Sequence, residues 1–89
     1  TKLERLELKQ NNLMKLPSDI FRGLRSLIQL SLSENELREL PEGLLHGLIK
    51  LYYLEVHHNK ICYVLKGFFA GLKNFKLLDI RNNAFTQSE

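Results

Sequence analysis

Disulfide chemistry, tryptophan anchors and membrane spans are all missing from this chain. A single cysteine, Cys62, excludes any internal disulfide and, without several well-placed histidines, any four-ligand zinc site. The longest uninterrupted apolar run, Ile61 to Leu65, falls far short of the roughly 20 residues that cross a bilayer, and the opening Thr1-Lys2-Leu3-Glu4-Arg5 has none of the character of a signal peptide. No Asn-x-Ser/Thr sequon occurs, so glycosylation gives no clue to compartment. Charge of one sign is missing too. Thirteen Lys and Arg are interleaved with ten Asp and Glu along most of the chain, and a net charge of +3 makes a weak case for nucleic acid. Catalytic signatures are likewise not found: no glycine-rich phosphate loop, no Ser, His and Asp in a known arrangement, and paired carboxylates only at solvent-facing positions. The reading is of a chain that is not an enzyme, has no catalytic residues and takes no cofactor.

What the chain has in abundance is leucine, at 20 of 89 residues, and the leucines are periodic. Leu3, Leu27, Leu51 and Phe75 are spaced by 24 residues, as are Leu6, Leu30, Leu54 and Leu78, and Leu8, Leu32, Val56 and Ile80. Asn11, Asn35, Asn59 and Asn83 follow in the same register, with Leu13, Leu37, Ile61 and Phe85 two residues later. The second half of each unit continues as Leu16, Leu40, Val64, then Phe21, Leu45, Phe69, then Gly23, Gly47, Gly71, then Leu24, Leu48, Leu72. The units run 3–26, 27–50, 51–74 and a partial 75–89.

Physical chemistry turns these columns into a coil. Around Leu6 and Leu8, charged Arg5, Glu7 and Lys9 alternate with leucine, the period of two of a short strand that is apolar on one face. One strand per unit, stacked in parallel about 4.8 Å apart, builds a sheet, and the return leg closes each coil over the inward leucines. The recurrent asparagine falls where the chain leaves the strand, a place where a buried amide can satisfy loop backbone groups that lack partners. The recurrent glycine, just before an inward leucine, suits a tight or left-handed turn.

The consensus LxxLxLxxNxLxxLPxxxFxGLxx, held across the whole chain, resembles the 24-residue leucine-rich repeat of extracellular receptors and matrix proteins. The resemblance implies an α/β solenoid: a right-handed coil with a parallel concave β-sheet and an irregular or 3-10 convex side. Leu45 departs from the usual Phe, and Val64-Leu65 from the Leu-Pro of Leu16-Pro17 and Leu40-Pro41, so the third convex segment is expected to differ locally. The FxGL return legs, Phe21-Arg22-Gly23-Leu24 and Phe69-Ala70-Gly71-Leu72, look like the extracellular form. The resemblance further implies a segment of a longer ectodomain, uncapped at both ends, with flanking repeats and caps in the parent chain. The expected partner is a protein or peptide, with no nucleic acid and no direct membrane insertion. A spacer within a larger receptor and an intracellular scaffold are the alternatives.

Three columns are expected to face outward from the sheet: Arg5, Gln29, Tyr53, Leu77; Glu7, Ser31, Glu55, Asp79; and Lys9, Ser33, His57, Arg81. An acidic stripe therefore runs beside a basic one, and the two are expected to neutralise each other across neighbouring positions. Tyrosine and arginine anchor interfaces, which selects Tyr53, His57, Arg81, Leu77, Glu55 and Asp79 as the ligand-binding residues, with Tyr52 and His58 close by. Asn11, Asn35, Asn59 and Asn83 are assigned a structural ladder. No metal site is assigned, because strand alternation sends His57 and His58 to opposite sides and the spacing matches no ligand pattern. Cys62, next to inward Ile61, reads as a partly exposed free thiol, with a disulfide to a cysteine elsewhere in the parent chain as the open alternative. Four strands offer a patch of only about 250–350 Å² in projection. A standard interface takes about 800 Å² per partner, so this stretch would supply part of a binding surface.

Overall fold

A computed structural model of the chain describes residues 3–85. Four three-residue strands, β1 (Arg5–Glu7), β2 (Gln29–Ser31), β3 (Tyr53–Glu55) and β4 (Leu77–Asp79), form one parallel sheet in sequence order. The register is the 24-residue repeat itself: Leu6 lies beside Leu30, Leu30 beside Leu54 and Leu54 beside Leu78. The ladder extends one residue past each strand, through Leu8 N to Ser31 O at 2.8 Å, Leu32 N to Glu55 O at 2.8 Å and Val56 N to Asp79 O at 2.9 Å. Every coil therefore hangs on the next by its backbone, and side chains of one column are stacked at strand spacing.

The convex side is a chain of i→i+3 turns, because a leg that must curve back over a leucine core in few residues cannot extend a regular helix. In the first coil Ile20 N bonds Pro17 O, Arg22 N bonds Asp19 O and Leu24 N bonds Phe21 O. The third coil repeats this with Phe68 N to Leu65 O, Ala70 N to Gly67 O and Leu72 N to Phe69 O. The turn bonds are kept because Leu65 offers the same carbonyl as proline, although Gly67 takes a left-handed φ of 82° that Asp19 in the first coil does not. Packing differs as well, since Phe69 stacks on Phe75 with ring centroids 4.7 Å apart and meets Phe68 edge-on. The recurrent glycines take φ of 90°, 85° and 84° at Gly23, Gly47 and Gly71, and nothing lies within 4 Å of where a Cβ would stand. The need there is for a left-handed backbone, not for space.

Core burial follows from stacking. Leu30, Leu32, Leu54 and Val56, in the two inner coils, are fully buried, whereas Leu78 and Ile80 in the same columns are 38% and 37% exposed. A coil's apolar interior is sealed by the coils on both sides, so identical residues differ in burial by position in the stack.

Candidate concave binding face

The chain leaves each strand through a left-handed residue, Gln10, Glu34, His58 and Asn82, with φ between 56° and 59°. The asparagine that follows stabilises this turn. Asn35 donates its amide to Leu8 O at 2.9 Å and Leu32 O at 3.0 Å, while its Oδ1 accepts from Asn11 N and Leu13 N. Asn59 donates to Leu32 O and Val56 O and accepts from Leu37 N. Asn83 donates to Val56 O and Ile80 O and accepts from Ile61 N. Asn11, at the first coil, is exposed, and among the described residues its side chain bonds Lys9 O alone.

On the concave face the polar groups are tied into short strand-local pairs. The Tyr53 hydroxyl donates to Glu55 Oε2 at 3.0 Å. That bond to a carboxylate, together with desolvation and the Glu55 charge, raises the phenol's pKa. Arg81 grips Asp79 by two parallel bonds, Nε to Oδ1 at 2.9 Å and Nη2 to Oδ2 at 2.8 Å, and the Arg81 backbone amide adds a third. The bonds from Arg81 hold the Asp79 carboxyl below its ordinary value. Arg5 and Glu7 approach less closely, at 3.5 Å. The two ion pairs among the described residues thus join residues i and i+2 of one coil, not neighbours on different coils. Leu77, at 47% exposure, is the apolar member of the patch.

Three sequence expectations need correction. Ser31 and Ser33 do not face solvent: both are fully buried, and neither hydroxyl has a hydrogen-bond partner. A serine set between rows of longer side chains, Glu7 and Glu55 on one row and Lys9 and His57 on the next, is covered by them. His57 and His58 do not part company either. The left-handed φ of His58 breaks strand alternation and brings the two Nδ1 atoms within 2.8 Å, with the rings 5.0 Å apart and edge-on. Asn82 donates its amide to His58 Nε2 at 3.0 Å, which leaves His58 Nδ1 as the donor to His57. Tyr52 stands apart from the concave cluster, on the lateral flank beside Ile28, Lys50, Asn74 and Lys76.

Glu55, His57 and Asp79 bring one ligand atom each within 4.8 Å of one another, a juxtaposition that spacing within one unit could not reveal because Asp79 arrives from the next strand. Each is already engaged: Glu55 by Tyr53, both Asp79 oxygens by Arg81, and His57 Nδ1 by His58. Among the described residues Glu55 Oε1 and His57 Nε2 carry no such partner, so a cation there would compete directly only with Arg81 for Asp79. Cys62 is exposed and free, and no helix among the described residues is long and apolar enough to cross a membrane.

The family described as leucine rich repeat matches residues 1–61. Among solved structures, the leucine-rich repeat domain of APL1B superimposes with a TM-score of 0.88 at 21% identity, over 92% of this chain and 25% of that one. Toll, from the Drosophila Toll–Spatzle complex, superimposes with a TM-score of 0.86 at 30% identity, over 91% of this chain and 11% of Toll. Human 5T4, the trophoblast glycoprotein, gives 0.73 at 32% identity over 91% and 30%. The chain spans less than a third of each of these structures. Among curated proteins no relative matches.

Proposed function

Because the chain belongs to the leucine-rich repeat family, whose domains are generally protein–protein interaction modules, we propose that it is a recognition segment of an extracellular or cell-surface ectodomain and binds a protein or peptide through its concave face. The observation that carries this reading is the ordered polar patch of β3 and β4. There the Tyr53 phenol and the Arg81 guanidinium are each fixed by the carboxylate two residues away in their own coil, with Leu77 exposed in register beside Tyr53. Side chains held in place before binding lose less entropy on association, and aromatic and arginine groups make effective anchors. The extracellular setting is supported by the likeness to Toll and 5T4 and by the FxGL return legs.

The spacer alternative draws on the same pairs, since each charge is already satisfied within the face. The two are separated by a photo-crosslinker placed at position 53 or at position 7, followed by titration of the captured partner against purified variants. Binding through this face predicts that Tyr53→Ala and Arg81→Ala each weaken the complex by about tenfold or more, and Glu7→Ala by less than about twofold. No effect from any of them would show that these strands only space, and equal effects from all three would overturn the assignment of Tyr53 and Arg81 as anchors.

A further inference from the structure

The lateral flank where chain enters the strands has a chemistry unlike the concave face. No Asp or Glu lies between Glu55 and Asp79, a stretch that holds Lys60, Lys66, Lys73 and Lys76. In the fold, part of this excess gathers on one side. The residues that immediately precede β2, β3 and β4 are Ile28, Tyr52 and Lys76, clamped in line by Tyr52 N to Ile28 O at 2.8 Å and Lys76 N to Tyr52 O at 2.9 Å. Together with Lys50 and Asn74 they line an open groove of about 400 Å³. A second groove of similar volume, past Ile49 and Lys73, shares Lys50 and Asn74 with the first, so the furrow is continuous across the second to fourth coils.

The furrow is amphipathic and open among the described residues. Ile28, Ile49 and Tyr52 are 39%, 54% and 41% exposed. Among the described residues, the side chains of Lys50, Lys73 and Lys76 make no ion pair or hydrogen bond. The carboxylate in the same column, Glu4, stands two coils away from Tyr52, at the opposite end from Lys76.

We propose that this flank is a second binding surface, separate from the concave face, and that it takes an acidic polypeptide segment with an apolar side chain between its carboxylates. The three ammonium groups supply the charge complement. Isolated surface ion pairs contribute little in water, so the affinity needs the apolar floor as well. That floor is what favours a polypeptide over a sulfated glycan or a nucleic acid backbone, whose anionic groups would leave Ile28, Ile49 and Tyr52 without an apolar partner.

The test is fluorescence anisotropy with a labelled octapeptide, Glu-Glu-Leu-Glu-Glu-Phe-Glu-Glu, titrated with the 89-residue chain at about 0.15 M salt, each variant first shown folded by circular dichroism. The expected result is saturable binding that Lys50→Glu with Lys76→Glu weakens at least about tenfold, while Lys15→Glu with Lys60→Glu, the same change in net charge on other surfaces, weakens it less than about twofold. Tyr52→Ser should weaken it about fivefold. Absence of binding, equal loss from the two charge pairs, or no loss with Tyr52→Ser overturns the proposal. So does a heparin-derived oligosaccharide that binds more tightly than the peptide and is lost in the same variants, since the ligand would then be a polyanionic glycan. None of these substitutions touches Tyr53, His57 or Arg81, so this surface and the concave face fail or succeed separately.

Discussion

The side-chain amide of Asn35 lies 2.9 Å from the carbonyl oxygen of Leu8, 27 residues earlier, and joins two coils at the point where both leave the sheet. The same amide oxygen accepts from Asn11 N and Leu13 N, so one nearly buried side chain satisfies backbone groups of two turns. Asn35→Ala would strand these groups, each unsatisfied buried polar group costing about 1–3 kcal/mol, and the expected loss is about 2–4 kcal/mol. Asn11→Ala, which removes an exposed amide with one bond to Lys9 O, should cost less than about 1 kcal/mol. Urea denaturation of both variants checks this; equal losses would mean the ladder's contribution does not depend on burial.

Ser31 and Ser33 reverse that logic. Their hydroxyls are buried without a partner, so each forfeits its hydration and gains nothing in exchange. Ser31→Ala should be neutral or stabilise by up to about 1 kcal/mol, seen as a higher urea midpoint at unchanged slope. A loss above about 1 kcal/mol would show that the hydroxyl has a partner in solution.

The coil was legible in the sequence because its determinants are periodic: Leu30, Leu54 and Leu78 repeat at 24, and strand pairing has that same register. The concave site was only half legible. Alternation placed Tyr53, Glu55 and His57 on one face, but it could not foretell that short Ser31 would be covered by longer neighbours. Nor did it foretell the rotation of His58, since Gln10 and Glu34 in the same column, unlike His58 and Asn82, are residue types that do not favour the left-handed conformation all four adopt. The basic flank could have been found from the acid-free stretch between Glu55 and Asp79, a signal hidden when charges are counted over the whole chain.

Position in the stack, not residue type, should set the cost of core truncation. Leu54 is fully buried and Leu78, its partner in the next coil, is 38% exposed. Leu54→Ala is expected to cost about 3–5 kcal/mol, as a cavity forms that the coils above and below cannot fill. Leu78→Ala should cost about 1–2 kcal/mol, because water reaches the site already. Thermal or urea melts that give the two variants the same stability would contradict a stack sealed from both sides.

Asp79 links stability to acid. Its carboxyl titrates below the ordinary value because Arg81 bonds its charged form, so the unfolded chain takes up this proton first as pH falls. The stabilisation is therefore complete above the unfolded value near about pH 4. It is lost as pH falls through the lower folded value. Arg81 is largely exposed, so solvent screens the pair and its contribution is small. The difference in stability between the parent chain and Asp79→Asn should be constant from neutral pH to about 5 and shrink below about 4. A difference that grows on acidification would reverse the sign of the linkage.

Tyr53 makes the opposite prediction at alkaline pH. Its phenol is raised because its proton is shared with the Glu55 carboxylate, so this contribution is fully present below the unfolded value near about pH 10 and is lost as pH rises through the higher folded value. Replacing Glu55 with Gln keeps an acceptor for the hydroxyl but removes the negative charge that opposes phenolate formation. Glu55→Gln should therefore shift the Tyr53 component of the ultraviolet tyrosinate titration to lower pH. Tyr63 provides the internal control: its phenol is raised in the same way, by a 3.0 Å bond to Glu39 on the neighbouring coil. Glu39→Gln should lower that component and leave the Tyr53 one in place. If Glu55→Gln moves no tyrosine, or moves both, the Tyr53–Glu55 pair is not the fixed element that the concave face requires.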